Sequence, residues 1–447
     1  MESLAGECTE LLQQLIRNRC VNDGTVASGN EVRSVDTLVS YMEGAGLDIQ
    51  RYESQPGRGS MVARIEGSDP TAPSLCLMGH LDVVPVNEAN WERDPFGGEL
   101  VGDMVWGRGA VDMLDTTSSM AVAFKHLASS GFEPRGDLVF FGVADEEALG
   151  LHGAKWMCDT NPDDIRTTYL LTEFGGMKMP LDTGGGPKLV VMVGEKGTFW
   201  SKIRVRGTAG HASRGSFRTD NALVKAAEVA KRLAAYRPPA SMHEPWRRFI
   251  GSLGLDESLQ AMLLDPVAFE KLCEELPVGL AQTLYACTHT TIVPTIMHAG
   301  IKTNVIPDTA EIQVDIRTLP GETADDTRAM LQDAIGDRWD QVEIAEDNPF
   351  EASDSPMDTP LWDSVTRVTK ALVPGSQTVP FIIVGATDAR YFRQTLGTTS
   401  YGYGLLSERI PYNDFIQLFH GDNECVDVES LRLMTELWEA VAKDLLA

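Results

Sequence analysis

Two histidines and several carboxylates stand at the ends of apolar runs that lie far apart in the chain. The run LCLMGHLDVV is broken by Gly79, His80 and Asp82 before it resumes with Val83 and Val84. Asp112 follows a glycine-rich turn in WGRGAVDM, Asp145, Glu146 and Glu147 close the stretch GVADEE, Glu173 closes LLTE, and His420 follows an apolar stretch in LFHGDNE. Carboxylates crowded into a low-dielectric site raise one another's pKa and desolvate at high cost, and a cation removes that conflict. Two imidazoles and three carboxylates suit zinc, or cobalt or manganese, and the oxygen-rich set leaves the ion open. Two ions about 3.5 to 4 Å apart, bridged by one carboxylate, would use this many ligands and hold a hydroxide between them as a nucleophile.

Such residues converge only if secondary structure delivers them to one place. SMVARIEG, PSLCLMGHLDVV, DLVFFGVADEE and TYLLTEFGG read as strands and MLDTTSSMAVAFKHLASS as a helix, the alternation expected of an α/β domain with a mostly parallel mixed sheet. Strand ends near 80, 146 and 173 are then carboxyl ends, where open α/β sheets bind ligands. After residue 194 the pattern changes. GTFWSKIRVRG, the helix NALVKAAEVAKRLAAY, TTIVPTIMHAG, AEIQVDIRTLPG, the helix TADDTRAMLQDAIG and DQVEIAED give β-α-β-β-α-β, a small α+β unit with antiparallel pairing. From about 350 the α/β character returns. The reading is therefore a discontinuous larger domain, 1–194 and 350–447, holding an inserted domain at 195–349 that itself carries a helical insertion of unassigned role at 238–288.

Composition narrows the partners. The 447 residues carry a formal net charge of -27, which repels nucleic acid and anionic membranes, and 43% hydrophobic content with 23% charge is that of a soluble globular protein. The seven scattered cysteines form no Cys-x-x-Cys pair and read as reduced thiols of a cytoplasmic protein. No signal peptide and no apolar run long enough for a membrane span are visible. Neither a Gly-x-Ser-x-Gly elbow, a His-Glu-x-x-His motif, a Walker loop nor a Gly-x-Gly-x-x-Gly after a strand is present, so serine hydrolase, zincin and nucleotide-driven chemistry lack support.

GHLDVVP, WERDPF, GRGAVDM, ADEE, LLTE, GTAGHASR, TNVIPDTAEIQVDIRTLPG, GATDAR and HGDNE occur in this order. The series resembles the M20 metallopeptidases, a group of aminoacylases, dipeptidases, carboxypeptidases and deacylases. The resemblance implies a zinc-peptidase-like catalytic domain, a lid and dimerisation domain at 195–349, and two divalent ions held by His80, Asp112 as bridge, Glu147, Glu173 and His420. It implies that Asp82 holds the His80 imidazole in its metal-binding tautomer and that Glu146 is the general base. The residue pattern alone leaves open which of Glu146 and Glu147 is base and which is ligand.

The same resemblance gives His211 the polarisation of the scissile carbonyl, from the other subunit in dimeric members, and gives Asn304, Arg317, Gly385 and Arg390 contacts to substrate. The implied activity is cleavage of a linear amide, a peptide bond near a free C-terminus or an N-acyl amino acid. A relative that kept the fold and lost the reaction, a binding or scaffolding protein, is the alternative. Two departures stand out: Leu114 and Asp115 occupy positions where many relatives carry lysine and glycine, and Gly215 one where proline is usual. Asp115 bears on the charge of the metal site. His152 lies close enough to the glutamate pair for a supporting role, whereas His126 reads as a surface or boundary residue of an amphipathic helix and His243, His289 and His298 lack partner spacing.

Overall fold

The computed structural model describes residues 4–180, 183–215 and 217–447. Its central sheet has nine strands, running 48–53, 59–65, 138–143, 75–80, 169–172, 399–402, 188–195 and 353–354, with 377–383 pairing in parallel beside 188–195. Strand Leu75–His80 lies parallel to both Leu138–Val143 and Tyr169–Thr172, and Thr399–Gly402 is parallel to the latter. Residues of the three inner strands are buried throughout, which is why their sequences are apolar without alternation. Each buried Leu, Val or Phe there contributes about 1.5–3 kcal/mol of transfer free energy. Because the inner strands run in one direction, their carboxyl ends deliver His80, the 145–147 turn and Glu173 to one edge of the sheet.

Helix Leu114–Ser129 is buried on nearly every side, since it lies against the His80 strand and is covered by helices Leu4–Arg17 and Val428–Leu445. It packs close to the sheet at Gly79, where an added Cβ would fall 2.3 Å from Thr117 Oγ1. A small three-stranded sheet pairs Glu99–Val101 with Met104–Trp106 and the latter with Cys425–Asp427, bringing the segment after His420 beside the turn that leads to Asp112.

The β-α-β-β-α-β unit is present: a four-stranded antiparallel sheet in the order 291–299, 309–318, 197–206, 342–350, covered by helices Ala222–Ala235 and Ala324–Ile335. It has its own core, built from Phe199, Ile203, Val229, Leu233, Ile312, Ile316, Leu331 and neighbours. The helical segment that interrupts it does not share that core. Helices Glu244–Ser252, Glu257–Leu264, Pro266–Glu275 and Val278–Thr288 place Trp246, Phe249, Ile250, Leu263, Phe269 and Cys287 in the core of the larger body, where Met242, just before them, also lies. Phe249 meets Phe381 edge-on at 4.9 Å, and Arg248 Nη1 donates to Asp358 Oδ1 at 3.0 Å. Residues 238–288, which interrupt the small α+β unit in sequence, thus pack with the larger body. Amphipathic periodicity shows that a helix needs a partner surface, not which of two surfaces it finds.

All seven cysteines are free, six of them buried. Among the described residues no helix is long and apolar enough to cross a membrane.

Candidate metal centre

His80 is the last residue of its strand and is buried. Its Nδ1 donates to the Asp82 carbonyl at 2.9 Å, which fixes the proton on Nδ1 and turns Nε2 toward Asp112 Oδ1 at 3.2 Å and Glu173 Oε2 at 3.7 Å. Asp82 therefore holds the imidazole through its main chain, its carboxylate lying 3.7 Å from Nδ1. That carboxylate serves the neighbouring turn instead, accepting the main-chain N–H of Glu146 at 3.2 Å and of Glu147 at 3.1 Å, together with Asn22 Nδ2 at 2.8 Å.

The Glu146–Ala148 turn is bracketed by Asp145 at φ 72° and Leu149 at φ 76°, left-handed conformations that side chains rarely adopt and that cluster at functional turns. Gly150, which follows at φ +65°, is held against Asp388: a Cβ there would lie 2.1 Å from Asp388 Oδ1. Asn22 Nδ2 also donates to Asp145 Oδ1, and Arg58 pairs with Asp145 at 3.2 Å, so the floor of this turn is a buried polar network.

His420 comes from a separate loop at φ 57° and places Nε2 3.2 Å from Asp112 Oδ2 and 3.0 Å from Glu147 Oε2. Two sets of potential ligands result, His80, Asp112, Glu173 and Asp112, Glu147, His420, each with its donor atoms within 4.8 Å of one another. Asp112 belongs to both and offers Oδ1 to one set and Oδ2 to the other.

The electrostatics are those of a site short of positive charge. Burial, then the charge of Asp112, pushes Glu147 up to about 7 despite a hydrogen bond from His420. Burial pushes Glu173 up to about 8 against the pull of His80. Burial alone would lower His80, but hydrogen bonds to Asp112 and Glu173 outweigh it and leave the imidazole raised well above its ordinary value. Hydrogen bonds to Asp112 and Glu147 raise His420 to about 10. Burial raises Asp112, yet its two histidine partners hold it below the usual carboxylate range. Glu146 is raised well above its ordinary value by burial and then by Glu173. Glu147 Oε1, buried and without a hydrogen-bond partner, gives a donor atom for an ion, and the imidazole and carboxylate set fits zinc, cobalt or manganese.

The residues assigned to substrate are placed differently. His211 and Asn304 come together on an exposed antiparallel pairing, His211 opposite Val305, where Ala212 N donates to the Asn304 carbonyl at 3.0 Å. Ser213 N donates to His211 Nδ1 at 3.2 Å, so the neutral ring carries its proton on Nε2. Arg317 is engaged by Asp315 through two hydrogen bonds of 2.9 and 3.2 Å, and by Thr198. Arg390 is buried, with its guanidinium bound to the carbonyls of Thr387 and Leu149; it ties the 146–149 turn to the GATDAR segment instead of facing open space. Gly385 is half-buried beside the exposed Val384.

His152 contributes its main-chain N–H to Asp145 Oδ2 at 2.8 Å, and its ring belongs to neither ligand set. Burial, then Glu424 and Asp112, raises Asp115 well above the usual carboxylate value, which disfavours its charged form. Sequence reasoning passed over Asn22, Arg58, Asp388 and Glu424. The last two stand inside the motifs GATDAR and HGDNE, where they could have been found. Asp388 is buried with neither carboxylate oxygen hydrogen-bonded, and burial pushes it up to about 7.

Residues 76–444 match the model of the family described as Peptidase family M20/M25/M40. The chain is 27% identical over 386 residues to the N-fatty-acyl-amino acid synthase/hydrolase PM20D1 of Xenopus tropicalis, covering 85% of this chain and 74% of that protein. It is 28% identical over 394 residues to mouse (Mus musculus) Aminoacylase-1, covering 85% of this chain and 81% of that one. Among solved structures it resembles the M20 family metallo-carboxypeptidase Sso-CP2 from Sulfolobus solfataricus, with a TM-score of 0.74, 16% identity and coverage of 100% and 99% of the two chains. The YXEP protein of Bacillus subtilis, described as a dinuclear metal binding peptidase from the M20 family, gives a TM-score of 0.62 at 14% identity over 98% of each chain.

Proposed function

The chain belongs to peptidase family M20/M25/M40, and from that premise we propose that it is a dinuclear metal-dependent hydrolase of linear amide bonds. The observation that carries this reading is Asp112, whose two oxygens are divided between two ligand sets that share no other residue. His80 and Glu173 complete one ion position, Glu147 and His420 the other. Two zinc ions, or cobalt or manganese, would supply an activated water and polarise the scissile carbonyl.

The chain's own groups do the rest. Glu146, raised by burial and by the charge of Glu173, takes the proton from the attacking water and returns it to the departing amine. Asp82 holds the two glutamates in register by accepting their consecutive main-chain N–H groups. His211, with its proton on the outward Nε2, is the donor for the developing oxyanion. No hydrogen bond or ion pair joins it to the metal ligands among the described residues. It therefore reaches the substrate by closure of its domain or from a second subunit. Strand Thr291–Ala299 lies at the edge of its sheet with Val293, Ile296 and Met297 exposed, a surface suited to edge pairing in a homodimer.

The substrate class is a small peptide with a free C-terminus or an N-acyl amino acid, in keeping with relatives named aminoacylase, carboxypeptidase S-like and N-fatty-acyl-amino acid synthase/hydrolase. Asn304, Arg317, Gly385 and Arg390 are the contacts we propose for it. Arg317 is held by Asp315 and Thr198, and Arg390 is anchored to the carbonyls of Thr387 and Leu149. The free thiols suit a reducing compartment such as the cytoplasm, and the net charge of -27 disfavours nucleic acid and anionic membranes. The test is dialysis against a chelator followed by assay on dipeptides and N-acyl amino acids. Hydrolysis is lost and returns with added zinc, cobalt or manganese; hydrolysis that persists after complete metal removal contradicts the proposal.

A further inference from the structure

Glu424 sits four residues beyond His420 and belongs to neither ligand set. Both of its oxygens are engaged inside the protein. Oε1 accepts from Val111 N at 2.6 Å and Asp112 N at 3.0 Å; Oε2 accepts from Gly109 N at 3.0 Å and Arg108 Nη1 at 2.7 Å. The Glu424 carbonyl accepts from Gly107 N at 3.0 Å, continuing the pairing of Cys425 with Trp106. One carboxylate thus gathers the whole turn that ends in Asp112. The other arm of Arg108 returns to the loop that carries the second histidine, Nη2 donating to the His420 carbonyl at 3.2 Å. That residue is at φ 57°, a conformation that persists only where surrounding contacts impose it. The Glu424–Arg108 pair is fully buried, at 0% and 2% side-chain exposure. A buried ion pair is a poor source of net stability, because desolvation of the two charges offsets their attraction, but it is directional in a way apolar packing is not.

We infer that Glu424 and Arg108 are a positioning pair that presets Asp112 and His420 for the ion position those two form with Glu147. The inference rests on reading that set as an ion position. Glu424 orients Asp112 through its main-chain N–H, and Arg108 carries the same constraint to the main chain of His420. Loss of the pair loosens the Asp112, Glu147, His420 position more than the His80, Asp112, Glu173 position, since only the former has both of its braced members.

The experiment is a cobalt titration of chelator-stripped wild type and Glu424→Gln, following the visible absorbance of bound cobalt, with thermal melting of both stripped proteins in parallel. The amide turns an acceptor oxygen into a donor that faces main-chain N–H groups or Arg108. The expected result is two binding steps in the wild type and, in the variant, one step weakened about 10- to 100-fold with the other little changed. Excess cobalt should restore kcat at unchanged KM. Two steps identical in wild type and variant overturn the inference while leaving the two-ion reading intact. A wild type with a single step overturns both. Should Glu424→Gln not fold, Arg108→Lys takes its place, keeping a cation beside Glu424 without the arm that reaches the His420 carbonyl. The same shift is expected, and wild-type titration steps overturn the inference. Failure of both variants to fold would mark the pair as a folding element and overturn the positioning role.

Discussion

Metal capture by this site should be an exchange of cations for protons, and its size follows from the geometry. In the chelated protein at pH 7, His420, raised to about 10, and His80, raised well above its ordinary value, each hold a proton. Glu173, pushed up to about 8, is mostly protonated, and Glu147, at about 7, is half so. Metal ligation requires all four to release those protons, so filling both positions should liberate about three per chain, against about half a proton had the groups kept their ordinary values. The overall binding constant should then fall on the order of 1000- to 10,000-fold per pH unit below 7. Stability carries the same signature. The folded, chelated chain binds more protons than the unfolded chain above pH 4.5 for the two glutamates and above 6.5 for the histidines, until the raised values are passed, so its stability falls as pH rises through that window. The Tm difference between metal-loaded and chelated protein should therefore widen from pH 5 to 8. Zinc titration of stripped protein in dilute buffer with a pH indicator counts the protons. Fewer than one per chain, or a Tm difference that narrows with pH, refutes the reasoning.

Glu146→Gln should keep both ions and lose about 10²- to 10⁴-fold in kcat; a variant with wild-type turnover would remove Glu146 from the chemistry. His211→Ala should lower kcat while leaving metal content and Tm unchanged, since the side chain is exposed and, among the described residues, bonded only to Ser213; an unchanged kcat would remove it from oxyanion stabilisation. Phe249→Ala empties a site buried between Phe381 and Trp246 and should cost about 3–5 kcal/mol. In hydrogen exchange the lost protection should fall on strand Gln377–Ile383 and spare the sheet of 197–206 and 309–318. The reverse distribution would return the helical insertion to the small α+β unit.

The parts legible in the sequence were those whose signal is local. Uniform apolar runs marked the inner parallel strands, and polar residues at their ends marked the edge where ligands meet. The alternation along 309–318 marked the small antiparallel sheet, whose inward residues Ile312, Val314 and Ile316 form its core. Long-range partnerships left no such trace. Helices 244–288 carry apolar faces that would suit either body, and only packing of Trp246 and Phe249 onto Phe381 decides between them. Arg317 and Arg390 have the chemistry to bind a carboxylate, yet Asp315 in one case and main-chain carbonyls in the other claim their donors, and a sequence does not show whether an arginine is already occupied. Glu424 was hidden in the opposite way: a carboxylate within a ligand-bearing motif whose partners are main-chain N–H groups that every sequence contains. The Asp82 carboxylate likewise serves the backbone of Glu146 and Glu147, while the His80 ring is held by a carbonyl that any residue at 82 would offer.

Elemental analysis combined with anomalous diffraction from zinc-loaded crystals tests the central claim most directly. Two ions per chain, one against His80 and Glu173, the other against Glu147 and His420, each ligated by a different oxygen of Asp112, is the predicted result. A single ion, or an Asp112 that ligates none, would contradict it.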